Sequence, residues 1–155
     1  GWAEMREGGR DTGVVGGWLH ELGDRRRTAL ALSAELLQKA RSRGVYAHLE
    51  EGVLLKRLPF PDNSFEAVIA VGVFTQGHVP PQGLEELLRV SRSEAIVVIP
   101  LMKNSWEQLG FKEKAMELEK SGIWQRIDQT PWCPPMPNSS DHKHDLGAVF
   151  AWCVQ

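Results

Sequence analysis

Three groups of residues in this chain have the types and spacing that chemistry requires. The first is Asp141-His142-Lys143-His144-Asp145, which sets two imidazoles and two carboxylates within five positions, with Cys133 a short way upstream. Imidazole, thiolate and carboxylate are the side chains that hold zinc and other transition metals. In an extended segment, however, His142 and His144 point to opposite sides, Lys143 sits between them, and no second cluster has ligand spacing. No metal is expected. The second is His78, in a loop after an apolar run, where an imidazole can act as a general base; a surface loop histidine is the plainer reading. The third is the glycine-rich run Gly9-Arg10-Asp11-Thr12-Gly13, followed by Gly16 and Gly17. Glycines let a backbone approach a ligand and present its amides at a helix N-terminus, although an ordinary turn has the same composition. Trp132, among Pro131, Pro134 and Pro135, reads as an aromatic pinned onto the domain by a stiffened loop, with a binding-site wall as the alternative.

Composition bounds what these residues serve. Eighteen Lys and Arg against twenty Asp and Glu leave a net charge of −2, so nothing here holds nucleic acid by charge alone. The one basic run, Arg25-Arg26-Arg27, is short and reads as a solvated loop. No apolar stretch approaches the roughly 20 residues that cross a bilayer, and the start carries no signal-peptide pattern. A soluble, cytoplasmic or nuclear protein without a membrane partner is expected. Cys133 and Cys153 are too few for a disulfide framework, so free thiols in a reducing compartment are the default. Residue one is Gly and the first Met is Met5, which suggests a fragment of a longer chain.

The elements that must position these residues alternate between strand and helix. Val14, Val15, Trp18, Leu19 and Leu22 recur at helical spacing before Gly23. Thr28 to Leu32 reads as a strand, and Ser33 caps a helix with Leu36, Leu37 and Ala40 on its inner face, stopped at Gly44. Extended segments follow over Val45 to Leu49 and Val53 to Leu55. Phe65 to Val71 is nearly uninterrupted apolar sequence, the mark of a strand buried on both faces of a parallel sheet. Pro80 and Pro81 open a short helix with Leu84, Leu87 and Leu88 inside and Glu85 and Glu86 outside. Ala95 to Ile99 is a second buried strand. Ser105 with Gln108 forms a capping-box pattern for a longer helix burying Leu109, Ala115, Met116 and Leu118, ended by Gly122. Ile123 to Ile127 and Ala148 to Val154 supply two last strands, with a loop over Thr130 to Asp145 between them. One domain is expected, without internal repeats.

Leu58-Pro-Phe-Pro-Asp-Asn-Ser-Phe-Glu66 joins a polar turn to the strongest strand, and in this it resembles class I S-adenosylmethionine-dependent methyltransferases, where L-P-F-P-D-N-S-F-D precedes the fourth strand. Gly72-Val-Phe-Thr-Gln-Gly-His-Val-Pro80 and Gly83-Leu-Glu-Glu-Leu-Leu-Arg-Val90 are similar to the methyltransferase-like protein 27 group, the Williams–Beuren region methyltransferases. The likeness is loose over residues 9–155 and close over 58–102. It implies an α/β fold, a Rossmann-like doubly wound sheet in the order 3-2-1-4-5-7-6, with a ligand at the carboxyl ends of the strands where the order reverses. Yet residues 1–10 hold Trp2 and Met5 among Glu4, Arg6, Glu7 and glycines, and lack the β-branched run of a central strand. The central first strand is therefore expected to be missing and the domain partial. The strands at 28–32 and 65–71 would then close on one another, unless residues 1–10 pair despite their composition.

The resemblance also implies where S-adenosylmethionine would sit. Its Gly-rich turn falls on Gly9, Asp11, Thr12 and Gly13, with Asp11 in place of the middle glycine. The acid that takes the ribose hydroxyls at the end of the second strand falls on Ala31, and the acid near the adenine at about Val53 or Leu54, with Glu50 and Glu51 close by. Leu32, Leu54 and Phe74 would form an apolar adenine slot, and His78 is the candidate base toward a small-molecule or protein acceptor. Three readings stand: a methyltransferase of this group; a methyltransferase-fold pseudoenzyme kept as a binding module, which Asp11 and Ala31 favour; and a nucleotide-binding domain of another class, such as a dehydrogenase, which the turn at 58–65 argues against.

Overall fold

The computed structural model of the chain describes residues 2–6, 21, 27–31, 38, 40–42, 44, 46–52, 54–75, 77–135 and 145–155, with the backbone alone for 2–6, 27 and 31. Its elements are β1 Trp2–Arg6, β2 Arg27–Ala31, β3 His48–Glu51, β4 Phe65–Val71, α1 Gly83–Val90, β5 Ser91–Met102, α2 Lys103–Gln108, α3 Phe111–Lys120, β6 Trp124–Gln129 and β7 Gly147–Val154. They form one sheet of seven strands in the order β3-β2-β1-β4-β5-β7-β6. The fold class is the expected one. Strands β1 to β5 pair in parallel, while β7 runs antiparallel to both β5 and β6.

The central first strand is not missing, and that expectation is corrected. Trp2–Arg6 lies between β2 and β4, in register from Trp2 opposite Arg27 and Ala67 to Arg6 opposite Ala31 and Val71. Its composition is poor for a strand, but β2 and β4 would otherwise present two rows of unpaired amides and carbonyls. A segment with hydrogen-bonding partners on both sides gains enough to override a weak propensity.

Other elements shift in detail. The helices expected over 14–22 and after Ser33 fall largely outside the described residues, although Ala40 is buried and Gly44 follows at φ +64°. The extended segment expected over 53–55 is a turn at Leu54 and Leu55. The single long helix expected from Ser105 is two: α2 ends at Leu109, and Gly110, at φ 83°, redirects the chain into α3. Ser105 is buried inside α2 and caps nothing. The break has a packing reason, since it drives Phe111 into the core edge-on against Phe74, ring centroids 5.4 Å apart.

Among the described residues the core runs along one face of β5 and β7, whose alternate residues are buried, and through β4. Val68, Ala70, Val97, Ile99 and Phe150 are fully enclosed, and Leu84, Leu87 and Val90 of α1 close over them. A stack of aromatics fills the far end: Trp124 lies flat on Trp152 at 4.4 Å, and Phe150 lies between Trp152 and Trp106. Glu119 receives the Trp152 indole N–H at 2.9 Å and both a 2.9 Å and a 3.2 Å bond from the Arg126 guanidinium, so the stack ends in a satisfied ion pair. Among the described residues no helix is long and apolar enough to cross a membrane.

Candidate functional site

The register of the sheet aligns four strand ends. Arg6 stands opposite Ala31 on one side and Val71 on the other, and Ala31 stands opposite Glu51. With neighbouring strands about 4.8 Å apart, these four positions form one row at the carboxyl edge. The strand order reverses between β1 and β4, which is where doubly wound sheets take their ligands. Ala31 ends β2 as expected and brings no carboxylate to the row. Among the described residues, Glu51 brings a carboxylate to the row one strand further out, exposed at the last position of β3.

The expected cofactor residues fare unequally. Gly9, Asp11, Thr12, Gly13, Leu32 and Val53 lie outside the described residues. Leu54 and Phe74 are described, and both are buried, at 5% and 1% exposure. They meet around Gly83, where an added Cβ would stand 3.2 Å from the Phe74 ring and 3.5 Å from Leu54 Cβ. Gly72, at φ 71°, turns the chain at the end of β4 and sends Val73 and Phe74 beneath α1. In this arrangement the pair are buried and pack together beneath α1.

The turn that carried the resemblance is held by α1. Arg89 donates Nη1 to the Phe60 carbonyl at 2.8 Å and to Asp62 Oδ1 at 2.7 Å, and Nη2 to the Leu58 carbonyl at 3.3 Å. Glu86 accepts the Leu58 amide at 2.7 Å and both Nε and Nη2 of Arg89. Burial alone would push the Glu86 carboxyl up, but the hydrogen bonds from Arg89 and Leu58 outweigh it and hold the carboxyl below its usual range. Asp62 is likewise lowered, first by its hydrogen bond from Arg89. Glu86, expected on the outer face, thus turns inward. The signal was available: a turn with two prolines has carbonyls that no amide of its own can satisfy, and Glu86 and Arg89 sit at helical i, i+3 spacing.

Beside the row, the sheet opens into a cleft of about 460 Å³. The β4–β5 ladder ends with Ile69 opposite Val98. Beyond it β5 continues through Pro100 to Met102, paired only with β7. Proline has no amide hydrogen to give a ladder, so it suits a strand paired on one side. Val71, Gly72 and Thr75 form one wall, residues 100–102 and 147–149 the other, and Thr130, Cys133 and Pro135 the rim. Sequence reasoning ended this strand at Ile99 and missed the cleft, because the pairing with β7 that prolongs it is a tertiary fact.

His78 is exposed, its amide bonded to the Thr75 carbonyl at 3.0 Å, and its side chain does not line the cleft. Trp132 packs edge-on against Phe150, centroids 5.7 Å apart, as a loop aromatic pinned to the sheet. Cys133 is exposed and pairs its backbone with Gly147 in both directions, at 3.0 and 2.8 Å. His142 and His144 lie outside the described residues, among which no three metal-ligating side chains converge.

Comparison with known proteins decides the family. The profile described as the methyltransferase domain matches residues 8–99. The chain belongs to that family. Human methyltransferase-like protein 27 is 30% identical over 139 residues, covering 80% of this chain. The chain spans about half the length of that curated relative, 56%. Among solved structures, an S-adenosylmethionine dependent methyltransferase from Mesorhizobium loti superposes with a TM-score of 0.68 at 12% identity, covering 98% of this chain and 89% of its own. The cyclase SpnF superposes at 0.69 with 16% identity, covering 98% and 75%. Identities this low speak for the fold alone, and one fold carries more than one reaction. The methyltransferase domain in this chain therefore has its expected sheet, its ligand edge and an open cleft beside it.

Proposed function

We propose that this chain is the nucleotide-binding and acceptor-facing part of an S-adenosylmethionine-dependent methyltransferase. One observation carries the reading: the strand ends Glu51, Ala31, Arg6 and Val71 form a single row at the switch point, with the cleft opening on the β4 side. The residues present suit the cofactor. Glu51 offers an exposed carboxylate in the row, and a carboxylate accepts both hydroxyls of a ribose at once. When bound, the cofactor supplies a methyl carbon made electrophilic by its sulfonium, which departs as a neutral thioether.

The chain's own residues do the positioning. Glu51 would take the ribose that Ala31 cannot. The cleft walls hold the acceptor in line and keep water away from the approach, which is most of what this transfer asks of a protein. A second reading, a binding module of methyltransferase fold, draws on Ala31, which leaves the family's ribose position without an acid.

Calorimetric titration with S-adenosylhomocysteine tests the proposal. Saturable binding is expected, and Glu51→Gln should weaken it at least about tenfold. Absence of binding in a cooperatively folded chain would sink the proposal. The paired change Asp11→Gly with Ala31→Asp separates the two readings, since a latent site gains affinity from it and a closed one does not.

A further inference from the structure

From the cleft wall we infer the acceptor's chemistry: an uncharged, largely apolar body small enough to sit within about 460 Å³. The inference rests on the methyltransferase reading and deepens it.

Among the described residues that line the cleft there is no charged side chain. Its polar side chains are the hydroxyls of Thr75 and Thr130 and the thiol of Cys133. The Thr130 hydroxyl oxygen is already engaged, accepting the Val149 amide at 3.0 Å. A carboxylate or ammonium group seated between Val71 and Pro100 would lose hydration and meet no opposite charge among the described lining residues. An apolar body loses nothing there and removes from water the partly exposed surfaces of Val71, Pro100, Met102 and Val149. The volume is that of a small-molecule site, near the lower end of the range that such pockets span, rather than of a protein or nucleic-acid groove. The place is also consistent: the cleft adjoins the end of β4, whose other neighbour is β1, so an acceptor on the β5 side and a nucleotide on the β1 side would meet across one strand.

Cys133 reports occupancy directly, because it is exposed, lines the cleft, and is held by its backbone pair with Gly147. Cys153, half-buried and outside the cleft, serves as internal control. The full chain is alkylated with N-ethylmaleimide in the presence of benzyl alcohol, benzoate or benzylammonium, and each thiol is followed by mass spectrometry. Benzyl alcohol should slow Cys133 but not Cys153, and the two ions should protect at least about tenfold less at equal concentration. Val149→Glu, at a wall residue 38% exposed and so tolerant of change, should reverse the preference toward benzylammonium. Equal or better protection by either ion overturns the inference, as does absence of protection by all three probes. Titration with S-adenosylhomocysteine keeps the failures apart: binding without Cys133 protection rejects the acceptor chemistry alone, whereas selective protection without binding rejects the methyltransferase reading and leaves an apolar small-molecule site.

Discussion

Glu86 shows how a residue that looks like solvent-facing charge in the sequence becomes the fastening of a loop. Its carboxylate, 15% exposed, receives the Leu58 amide and the Arg89 guanidinium, and Arg89 in turn closes on the carbonyls of Leu58 and Phe60. Removing it leaves the Leu58 amide without that acceptor and takes two bonds from a half-buried Arg89, which keeps Asp62 and the two carbonyls. Glu86→Ala should therefore cost about 2 kcal/mol in urea unfolding, with Glu86→Gln costing less because one acceptor oxygen remains. The pH dependence has a definite sign. The folded carboxyl lies below its ordinary 4.5, so its contribution is complete above that pH and is lost as pH falls through the folded value. Stability of the parent should thus fall more steeply below pH 4.5 than that of Glu86→Gln, and melts across that range would show it. At this scale the sequence was only half legible. The turn residues 58–64 announced themselves, whereas helical periodicity, which places Glu86 on the face opposite Leu84, masked the weaker signal of its i, i+3 spacing from Arg89.

Two glycines at the ends of helices separate backbone strain from crowding. Gly110 joins α2 to α3 at φ 83°, and an added Cβ would meet only Pro81 Cγ at 3.7 Å. Gly110→Ala should cost about 1 kcal/mol, all of it conformational. Gly83 opens α1 with no such constraint, but its Cβ would stand 2.3 Å from Val79 Cγ1, on a stiff β-branched side chain that is itself buried. Gly83→Ala should cost about 2 kcal/mol despite alanine's better helix propensity, because repacking Val79 against Phe74 outweighs the gain. Chemical denaturation of the two variants checks the order. Strands β4 and β7 were readable from their apolar runs, and α1 from its prolines. The division of α2 from α3 was not, since it depends on where Phe111 must go, and the capping pattern at Ser105 pointed elsewhere.

On the scale of the whole molecule, the buried strands and turns of residues 58–102 were legible from strong local signals, and the motifs there carried the resemblance that implied the family and the strand order. The first strand was not, because what makes Trp2–Arg6 a strand lies in β2 and β4 rather than in itself. The cleft was equally hidden, since it arises where one ladder stops and another continues. Deleting residues 1–6 would remove the middle of the sheet and leave two unpaired edges, those of β2 and β4. Such a chain should lose its cooperative melt and aggregate, which light scattering during refolding would report.

The same arrangement sets a clock on folding. Trp2–Arg6 lies some sixty positions before its second partner, residues 65–71. Until residues 65–71 are made, Trp2–Arg6 stays unpaired on that side, and the contact that closes this longest loop in the sheet's centre should be the slowest to form.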